Sequence, residues 1–243
     1  MRKSQPLSFI AGLLLLFIIY HFPEFFQAFW IAALFKISFL AAALLLARMQ
    51  GWQQVSGYGL KWHKWWWRNL LAGLILGIGF FLLSEAAAAF FTVQKINSID
   101  PATAMVSRLP MILLITFFPS IAEDILTRGY LFGHLRHRLQ QNSFVLLSAA
   151  FFVLNHIWRL QDGTAVLTYL FVLGLALAYA LWHTRSLWLT LGIHWGANVA
   201  FESVTASVQS QPIHPTTAHW ILAGSYVLLL LAIVVLKKFF PIA

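Results

Sequence analysis

Long apolar runs recur along the chain, and they constrain its fold more than any other feature of the sequence. An α-helix needs about 17–25 residues to cross the hydrocarbon core of a bilayer, and the runs are close to that length. They lie at residues 7–22, 26–47, 69–91, 110–133, 143–160, 164–182, 186–205 and 218–236, with short segments between them. The sequence therefore predicts an all-α, polytopic integral membrane protein with about eight transmembrane helices, forming a single transmembrane domain over residues 1–243.

The composition agrees with this class and excludes several kinds of site. Of the 243 residues, 60% are hydrophobic and only 9% are charged, whereas a soluble domain carries roughly 25% charged residues. The sequence contains no cysteine. Disulfides, thiolate zinc sites and a cysteine nucleophile are therefore excluded.

The basic residues are distributed as in a membrane protein rather than a nucleic-acid-binding protein. The formal net charge is +9, but Lys and Arg are scattered through short loops, and such residues favour the cytoplasmic side. If the N-terminus is inside, the inside segments hold Arg2, Lys3, Arg48, Lys61, Lys64, Arg68, Arg136, Arg138, Arg185, Lys237 and Lys238. The outside loops hold Lys95, Arg108 and Arg159. We therefore expect cytoplasmic N- and C-termini, contact with membrane lipids, and no nucleic-acid partner.

Three ionisable residues stand inside the fourth run, in the stretch "AEDILTRGYLFG" at residues 122–133. A charge near the bilayer centre costs about 2.5–3.5 kcal/mol on insertion scales, so such residues usually have a partner or a function. Asp124 and Arg128 are spaced i, i+4 and share a helix face, which predicts an ion pair. Glu123 faces another way and is left free to accept a proton. Pro119, one turn earlier, cannot donate the usual backbone hydrogen bond, so we expect it to open the helix. Taken alone, the triplet fits a structural ion cluster equally well.

Two later runs each contain a histidine with a partner one helical turn away. Phe152 and His156 are spaced i, i+4 near the end of the fifth run, and His194 and Asn198 have the same spacing in the seventh. At a rise of 1.5 Å per residue, Glu123 and both histidines fall in the middle half of the bilayer. These residues can therefore meet.

A carboxylate, two histidines and an asparagine are suited to hydrolysis by an activated water. The carboxylate takes a proton from water with the help of a histidine, and a His/Asn pair donates hydrogen bonds to a tetrahedral oxyanion. Other intramembrane protease mechanisms fit less well. The sequence has no H-E-x-x-H helix and no G-x-S motif, and Asp124 is the one aspartate well inside a run.

These motifs resemble those of the CPBP family of intramembrane endopeptidases, the CAAX protease and bacteriocin-processing (Abi) group. That family carries E-E-x-x-x-R, F-x-x-x-H and H-x-x-x-N motifs on separate helices. This sequence has Glu123-Asp124-Ile125-Leu126-Thr127-Arg128, then Phe152 to His156, then His194 to Asn198. The resemblance covers about residues 110–205, where it places the catalytic core.

The resemblance implies an all-helical protease that cleaves a peptide bond in or near the membrane. Glu123 would activate water together with His156. His194 and Asn198 would stabilise the oxyanion. The supporting residues would be Asp124, Arg128 and Phe152.

One position departs from the family motif, and the cofactor is left open. Asp124 stands where the family has a second Glu, and an ion pair with Arg128 tolerates the shorter side chain. A glutamate-type protease requires no cofactor, whereas a zinc-dependent one would use Glu123, His156 and His194 as metal ligands.

Two other functions are compatible with the sequence. A non-catalytic relative, such as a membrane scaffold or a bacteriocin-immunity protein, would keep the motifs. A proton-coupled transporter would relay protons through Glu123 and the two histidines, although no inverted repeats are apparent. Lys36 and Glu85 also fall inside runs. They fit a structural ion pair or snorkelling side chains, and they are the best support for a transporter.

The expected location is a bacterial inner (cytoplasmic) membrane, with which the short loops and the lack of cysteine are compatible. CAAX prenylation would not be expected there. We therefore expect the substrate to be a membrane-associated peptide or protein.

Overall fold

Helices account for most of the chain that the structure describes. The computed structural model describes residues 6–26, 28–240 and 242. Its α-helices are α1 Pro6–His21, α2 Phe29–Met49, α3 Trp66–Phe90, α4 Ala102–Asp124, α5 Tyr130–Leu135, α6 Gln141–Asn155, α7 Thr164–Thr184, α8 Leu187–Ser207 and α9 Pro215–Leu236. The predicted all-α, polytopic class is confirmed. Arg2 and Lys3, which contribute to the predicted charge bias, lie outside the described residues.

Six helical segments of the described chain are long and apolar enough to cross a membrane. They are Leu7–Phe25, Phe29–Met49, Trp66–Phe90, Ala102–Leu135, Thr164–Thr184 and Pro215–Phe239. Helix α6 is apolar but has only 15 residues, and α8 is not among the six. The chain is therefore an integral membrane protein, while the count of eight spans and the cytoplasmic termini stay predictions.

The fifth predicted run, residues 143–160, extends too far. Helix α6 ends at Asn155, and His156 has the non-helical angles φ −94° and ψ 50°. The His156 ring nitrogen Nδ1 hydrogen-bonds the carbonyl of Phe152 at 2.8 Å, the group that the backbone N–H of residue 156 would bind in a continuing helix. That N–H binds the carbonyl of Val153 instead. The side chain of His156 therefore helps to end the helix that was expected to contain it.

Helices α4 and α5 form one long segment that is interrupted by a π-helical turn at Ile125–Gly129. A π turn, with i→i+5 hydrogen bonds, widens a helix locally and is frequent at functional sites. Here the turn begins directly after Asp124, within the charged triplet. Gly129 allows the loop before α3 to approach, because a Cβ at this position would lie 3.1 Å from the carbonyl oxygen of Tyr58.

Glycines bring α3 and α8 into backbone contact. Gly73 and Gly77 on α3, and Gly192 and Gly196 on α8, each form a G-x-x-x-G pattern, which lets helices approach closely in membranes. A Cβ at Gly73 would lie 2.8 Å from the Cα of Gly192, which is too close for a side chain. His194 stands two residues from each glycine of α8, about 200° around the helix. The packing on α3 therefore turns His194 away from α3.

A short two-stranded antiparallel sheet, which the sequence did not predict, joins the ends of α4 and α8. Strand β1, Gln94–Ile99, precedes α4, and strand β2, Val208–Pro212, follows α8. Arg108 strengthens this junction, because its Nη1 donates to Asp100 Oδ2 at 2.6 Å and to the carbonyl of Ala206 at 2.7 Å. The junction links the two helices that carry Glu123 and His194.

Candidate active site

Glu123 lies at the centre of a polar cluster built from four helices and the cap of α6. Its side chain is buried, with 6% of the residue exposed. One carboxylate oxygen, Oε1, accepts a hydrogen bond from Asn155 Nδ2 at 3.1 Å, and Oε2 accepts one from the Tyr20 hydroxyl at 3.4 Å. His156 Nδ1 lies 3.6 Å from Oε1, and His194 Nε2 lies 3.8 Å from Oε2. The carboxylate and the two histidines singled out in the sequence therefore meet.

Asp124, Arg128 and His194 form a second group, which we call the inner polar group. Asp124 and Arg128 form the ion pair that their spacing predicts, and both are completely buried. The carboxylate oxygen Oδ1 of Asp124 also binds His194 Nδ1 at 2.9 Å. The guanidinium of Arg128 lies 4.8 Å from the ring of Phe152. Its Nε and Nη2 atoms form no hydrogen bond with any residue in the described ranges. Phe152 therefore covers a cation that is only partly paired.

The hydrogen bonds of the two histidines determine where their protons lie. A carbonyl and a carboxylate only accept, so His156 Nδ1 donates to the Phe152 carbonyl and His194 Nδ1 donates to Asp124. In His156 the other nitrogen, Nε2, is then free to accept a hydrogen bond. In His194 the other nitrogen faces Glu123. The second carboxylate of the triplet therefore orients a histidine as well as pairing with an arginine.

Asn198 lies one turn after His194 on α8 and is half-buried. Its side-chain Nδ2 donates to Ser120 Oγ at 2.9 Å, and the Ser120 hydroxyl donates to the carbonyl of Thr116 at 2.7 Å. Ser120 precedes Glu123 by three residues on α4. This hydrogen bond therefore holds the amide of Asn198 against the helix that carries the carboxylate.

A third set of residues near Glu123 was not predicted from the sequence. It lies at the ends of α1 and α6. Asn155, His21 and Glu24 form what we call the outer polar group. Asn155 Oδ1 lies 3.0 Å from His21 Nε2, and His21 Nδ1 lies 2.6 Å from Glu24 Oε2. The available signals were weak: Asn155 directly precedes a candidate histidine, and Tyr20 and His21 are polar residues at the end of an apolar run.

Lys36 and Glu85, the other charged residues expected inside spans, do not pair with each other in the described structure. The Lys36 Nζ atom lies 3.2 Å from the centre of the Tyr20 ring and 3.4 Å from the Tyr20 carbonyl oxygen. Glu85 accepts a hydrogen bond from Gln94 at 2.9 Å. The expectation of a structural ion pair between them is therefore wrong, and each side chain has a separate partner.

The positions of Glu123, His156 and His194 show whether these residues could bind zinc. Among the described residues, no group of three or more His, Asp or Glu side chains is arranged to hold a metal ion together. Both oxygens of Glu123 accept hydrogen bonds, from Asn155 and Tyr20, and the His156 nitrogen that lies nearest to Glu123, Nδ1, is bound to the Phe152 carbonyl. The described residues as placed therefore do not fit a three-ligand metal site.

The part of the chain that contains the three motifs matches a known protein family. Residues 105–200 match the family model described as "Rce1-like: Type II CAAX prenyl endopeptidase Rce1-like". The match covers less than half of the chain, but it includes all three motifs. No curated protein matches the chain. The resemblance to the CPBP and CAAX protease family is therefore confirmed: over residues 105–200 the chain is similar to the type II CAAX prenyl endopeptidases.

Proposed function

We propose that this protein is an intramembrane endopeptidase that hydrolyses a peptide bond by means of a water molecule activated by Glu123. The observation that carries the proposal is the meeting of Glu123 with His156 and His194, at 3.6 and 3.8 Å, inside the segment that matches a protease family. Proton transfer by a positioned side chain contributes about 10²- to 10⁴-fold to a rate. A buried carboxylate flanked by two imidazoles is suited to that task.

In the proposed reaction, Glu123 takes a proton from water while the water oxygen attacks the carbonyl carbon of the substrate. The C–N bond then breaks as the carboxyl group of Glu123 returns the proton to the leaving amine. His156 binds the water through its free nitrogen, Nε2, because its Nδ1 is held by the Phe152 carbonyl. The two ring contacts to Glu123 are too long for hydrogen bonds. The contact from His194 Nε2 can tighten when substrate is bound, as such contacts often do.

His194 and Asn198 stabilise the oxyanion in this proposal. Since His194 Nδ1 already donates to Asp124, donation from Nε2 requires the charged imidazolium. Two buried carboxylates lie beside that ring, Asp124 at Nδ1 and Glu123 at Nε2, and they would stabilise its positive charge. The Nδ2 group of Asn198, one turn further along α8, is the second donor. Preorganised donors of this kind commonly contribute about 2.7–4 kcal/mol each to transition-state stabilisation.

The inner polar group and Phe152 are assigned a supporting role. Asp124 orients His194 and neutralises Arg128, and Phe152 covers the guanidinium. This assignment explains why Asp can replace the Glu of the family motif. The side chain needs to reach a residue one turn away, which the shorter carboxylate does.

The direction of the polar contacts favours a protease over a proton-coupled transporter. Among the described residues, hydrogen bonds lead from Glu123 through Asn155 and His21 to Glu24, near the ends of α1 and α6. In the π-helical turn that follows α4, Arg128 is completely buried. One cluster that opens towards one side suits hydrolysis, whereas transport requires access from both sides.

We further propose a membrane-associated peptide or protein as substrate, in a bacterial inner membrane, with both termini in the cytoplasm. The family description refers to prenyl substrates, which would not be expected in such a membrane. Membranes that contain the wild-type protein are compared with membranes that contain the Glu123→Gln variant, and the peptides released are identified by mass spectrometry.

The same substitution tests the role of the carboxylate. Glu123→Gln keeps the size of the side chain and an acceptor for Asn155 but removes the proton-accepting group, so cleavage is expected to fall at least about 10³-fold. Thermal stability in detergent should change little. The matched control is Glu85→Gln, the same change at a carboxylate whose partner is Gln94, which should keep full activity. Full cleavage by Glu123→Gln would refute the proposal.

A further inference from the structure

The outer polar group connects Glu123 to the first helix, outside the segment that matches the protease family. Asn155 Nδ2 donates to Glu123 Oε1 at 3.1 Å, and the other atom of the same amide, Oδ1, lies 3.0 Å from His21 Nε2. His21 Nδ1 lies 2.6 Å from Glu24 Oε2. Asn155 and His21 are buried, with 4% and 5% of each residue exposed. The contacts are therefore short, and burial leaves Asn155 and His21 few other hydrogen-bond partners.

The chemistry of the end groups sets the direction of every hydrogen bond in this chain. An ionised Glu123 can only accept, so the NH2 group of Asn155 must face it and the amide oxygen must face His21. That oxygen is itself an acceptor, so His21 Nε2 must donate to it. Glu24 is a carboxylate as well, so His21 Nδ1 must donate to Glu24. Both ring nitrogens of His21 then carry protons, and its positive charge is balanced by Glu24.

Glu24 is held in place from the loop that follows α6. The indole Nε1 of Trp158 donates to Glu24 Oε2 at 2.8 Å, and the ring of Trp158 meets the ring of Phe25 edge-on at 5.9 Å. The loop after α1 and the loop after α6 are therefore joined directly above His21. This contact keeps the imidazole of His21 pointed at Asn155.

We propose that His21 is a positioning residue for the reaction and acts on Glu123 through Asn155. The inference rests on the proposed function, and it extends the active site to α1. His21 fixes the orientation of the Asn155 amide, which holds Oε1 of Glu123 and directs the carboxylate towards the reacting water. Without a donor at Nε2 of His21, the Asn155 amide would keep only its hydrogen bond to Glu123, and its position would be less well fixed.

The kinetic test compares two replacements of His21 in the full-length protein, with a peptide substrate found in the membrane comparison described above. His21→Leu removes the donor, and kcat should fall about 10- to 100-fold, as expected for a lost hydrogen bond that orients a charged group. KM should stay within about threefold, because His21 does not bind the substrate. His21→Gln supplies an amide N–H in place of Nε2–H and should recover most of kcat. The control is His183→Leu, which removes a histidine ring that contacts the Lys237 carbonyl instead of the site.

A purely structural role gives a different pattern. In that case His21→Leu lowers the yield of folded protein, while kcat per folded molecule stays at the wild-type value. His21→Gln would then be no more active than His21→Leu. Either result overturns the inference and leaves the proposed function intact. Absence of any Glu123-dependent cleavage in the wild-type protein would instead refute the proposed function.

A second measurement does not need cleavage. In protein labelled with ¹⁵N-histidine in detergent, the signals of the His21 ring are identified by their loss in His21→Gln. Two protonated ring nitrogens are expected for His21 in the wild-type protein. A single protonated nitrogen would mean that Nε2 or Nδ1 accepts, and the directed chain to Glu123 would be wrong.

Discussion

The two polar groups on either side of Glu123 differ mainly in how deeply they are buried within the protein. In the inner polar group, Asp124 and Arg128 have no exposed surface, and 3% of His194 is exposed. In the outer polar group exposure rises outwards, and the side chain of Glu24 is 30% exposed. Both groups pair a carboxylate with a histidine. The inner group holds its charges where an unpaired ion is most costly, whereas the outer group ends at a partly exposed carboxylate.

Because of this difference, we expect the ionic side chains of the inner group to stabilise the fold and those of the outer group to orient Glu123. Removing one partner of a buried pair leaves an uncompensated charge. Because Asp124 binds both Arg128 and His194, a change in the inner group affects the stability of the fold and the orientation of His194 together. Removing a partner near the surface costs little stability. The outer group can therefore orient the carboxylate without being required for folding, and substitutions of the same type should affect the two groups very differently.

The largest effect is expected from Asp124→Asn, which breaks the inner group. The change leaves the cation of Arg128 buried without its carboxylate, which should lower the free energy of unfolding by about 3–5 kcal/mol. Activity should fall as well, because an uncharged amide is a weaker acceptor for the Nδ1 proton of His194 than the carboxylate. Thermal unfolding in detergent, with cleavage measured per folded molecule, checks both effects.

A double variant sharpens that test. Asp124→Asn combined with Arg128→Gln leaves no unpaired charge, so part of the lost stability should return, while activity stays low. The matched control is Asp162→Asn, which removes a carboxylate paired with Arg159 at the surface and should change stability by no more than about 1 kcal/mol. If Asp124→Asn is fully stable but inactive, Asp124 has a direct catalytic role instead.

An intermediate effect, on activity rather than stability, is expected from Asn198→Ala. Loss of one oxyanion donor typically lowers kcat about 10²- to 10³-fold. Ser120→Ala removes the acceptor that holds the amide of Asn198 but keeps the donor, so its effect on kcat should be clearly smaller. Equal losses in the two variants would indicate that Asn198 acts only by packing against α4.

The smallest stability effect is expected from Glu24→Gln, the counterpart of Asp124→Asn in the outer group. The substitution again replaces a carboxylate by an amide beside a histidine, but at a partly exposed position. Because Glu24 is only partly buried, the free energy of unfolding should fall by less than for Asp124→Asn, as measured by thermal unfolding under the same conditions. A loss as large as that of Asp124→Asn would show that the outer group is also required for folding.

The features that were predictable from the sequence are those that depend on local spacing. Apolar runs of helical length predict the membrane class, and i, i+4 spacing predicts the pair of Asp124 and Arg128 because 3.6 residues make one turn. The G-x-x-x-G patterns of α3 and α8 are local features of the same kind, since their glycines are spaced i, i+4. The end of α6 was harder to predict, because it depends on a side chain of His156 that competes with the backbone.

The outer polar group could not have been found in this way, because its contacts join distant parts of the chain. Tyr20 and Glu123 are 103 positions apart, and His21 and Asn155 are 134 apart. No periodicity relates such residues, and their meeting depends on how α1 packs against α4 and α6. Polar groups in a membrane interior must find partners wherever the packing offers them. Residue types and local spacing were therefore sufficient for the membrane class and the motif residues, whereas the packing of whole helices determines which side chains surround Glu123.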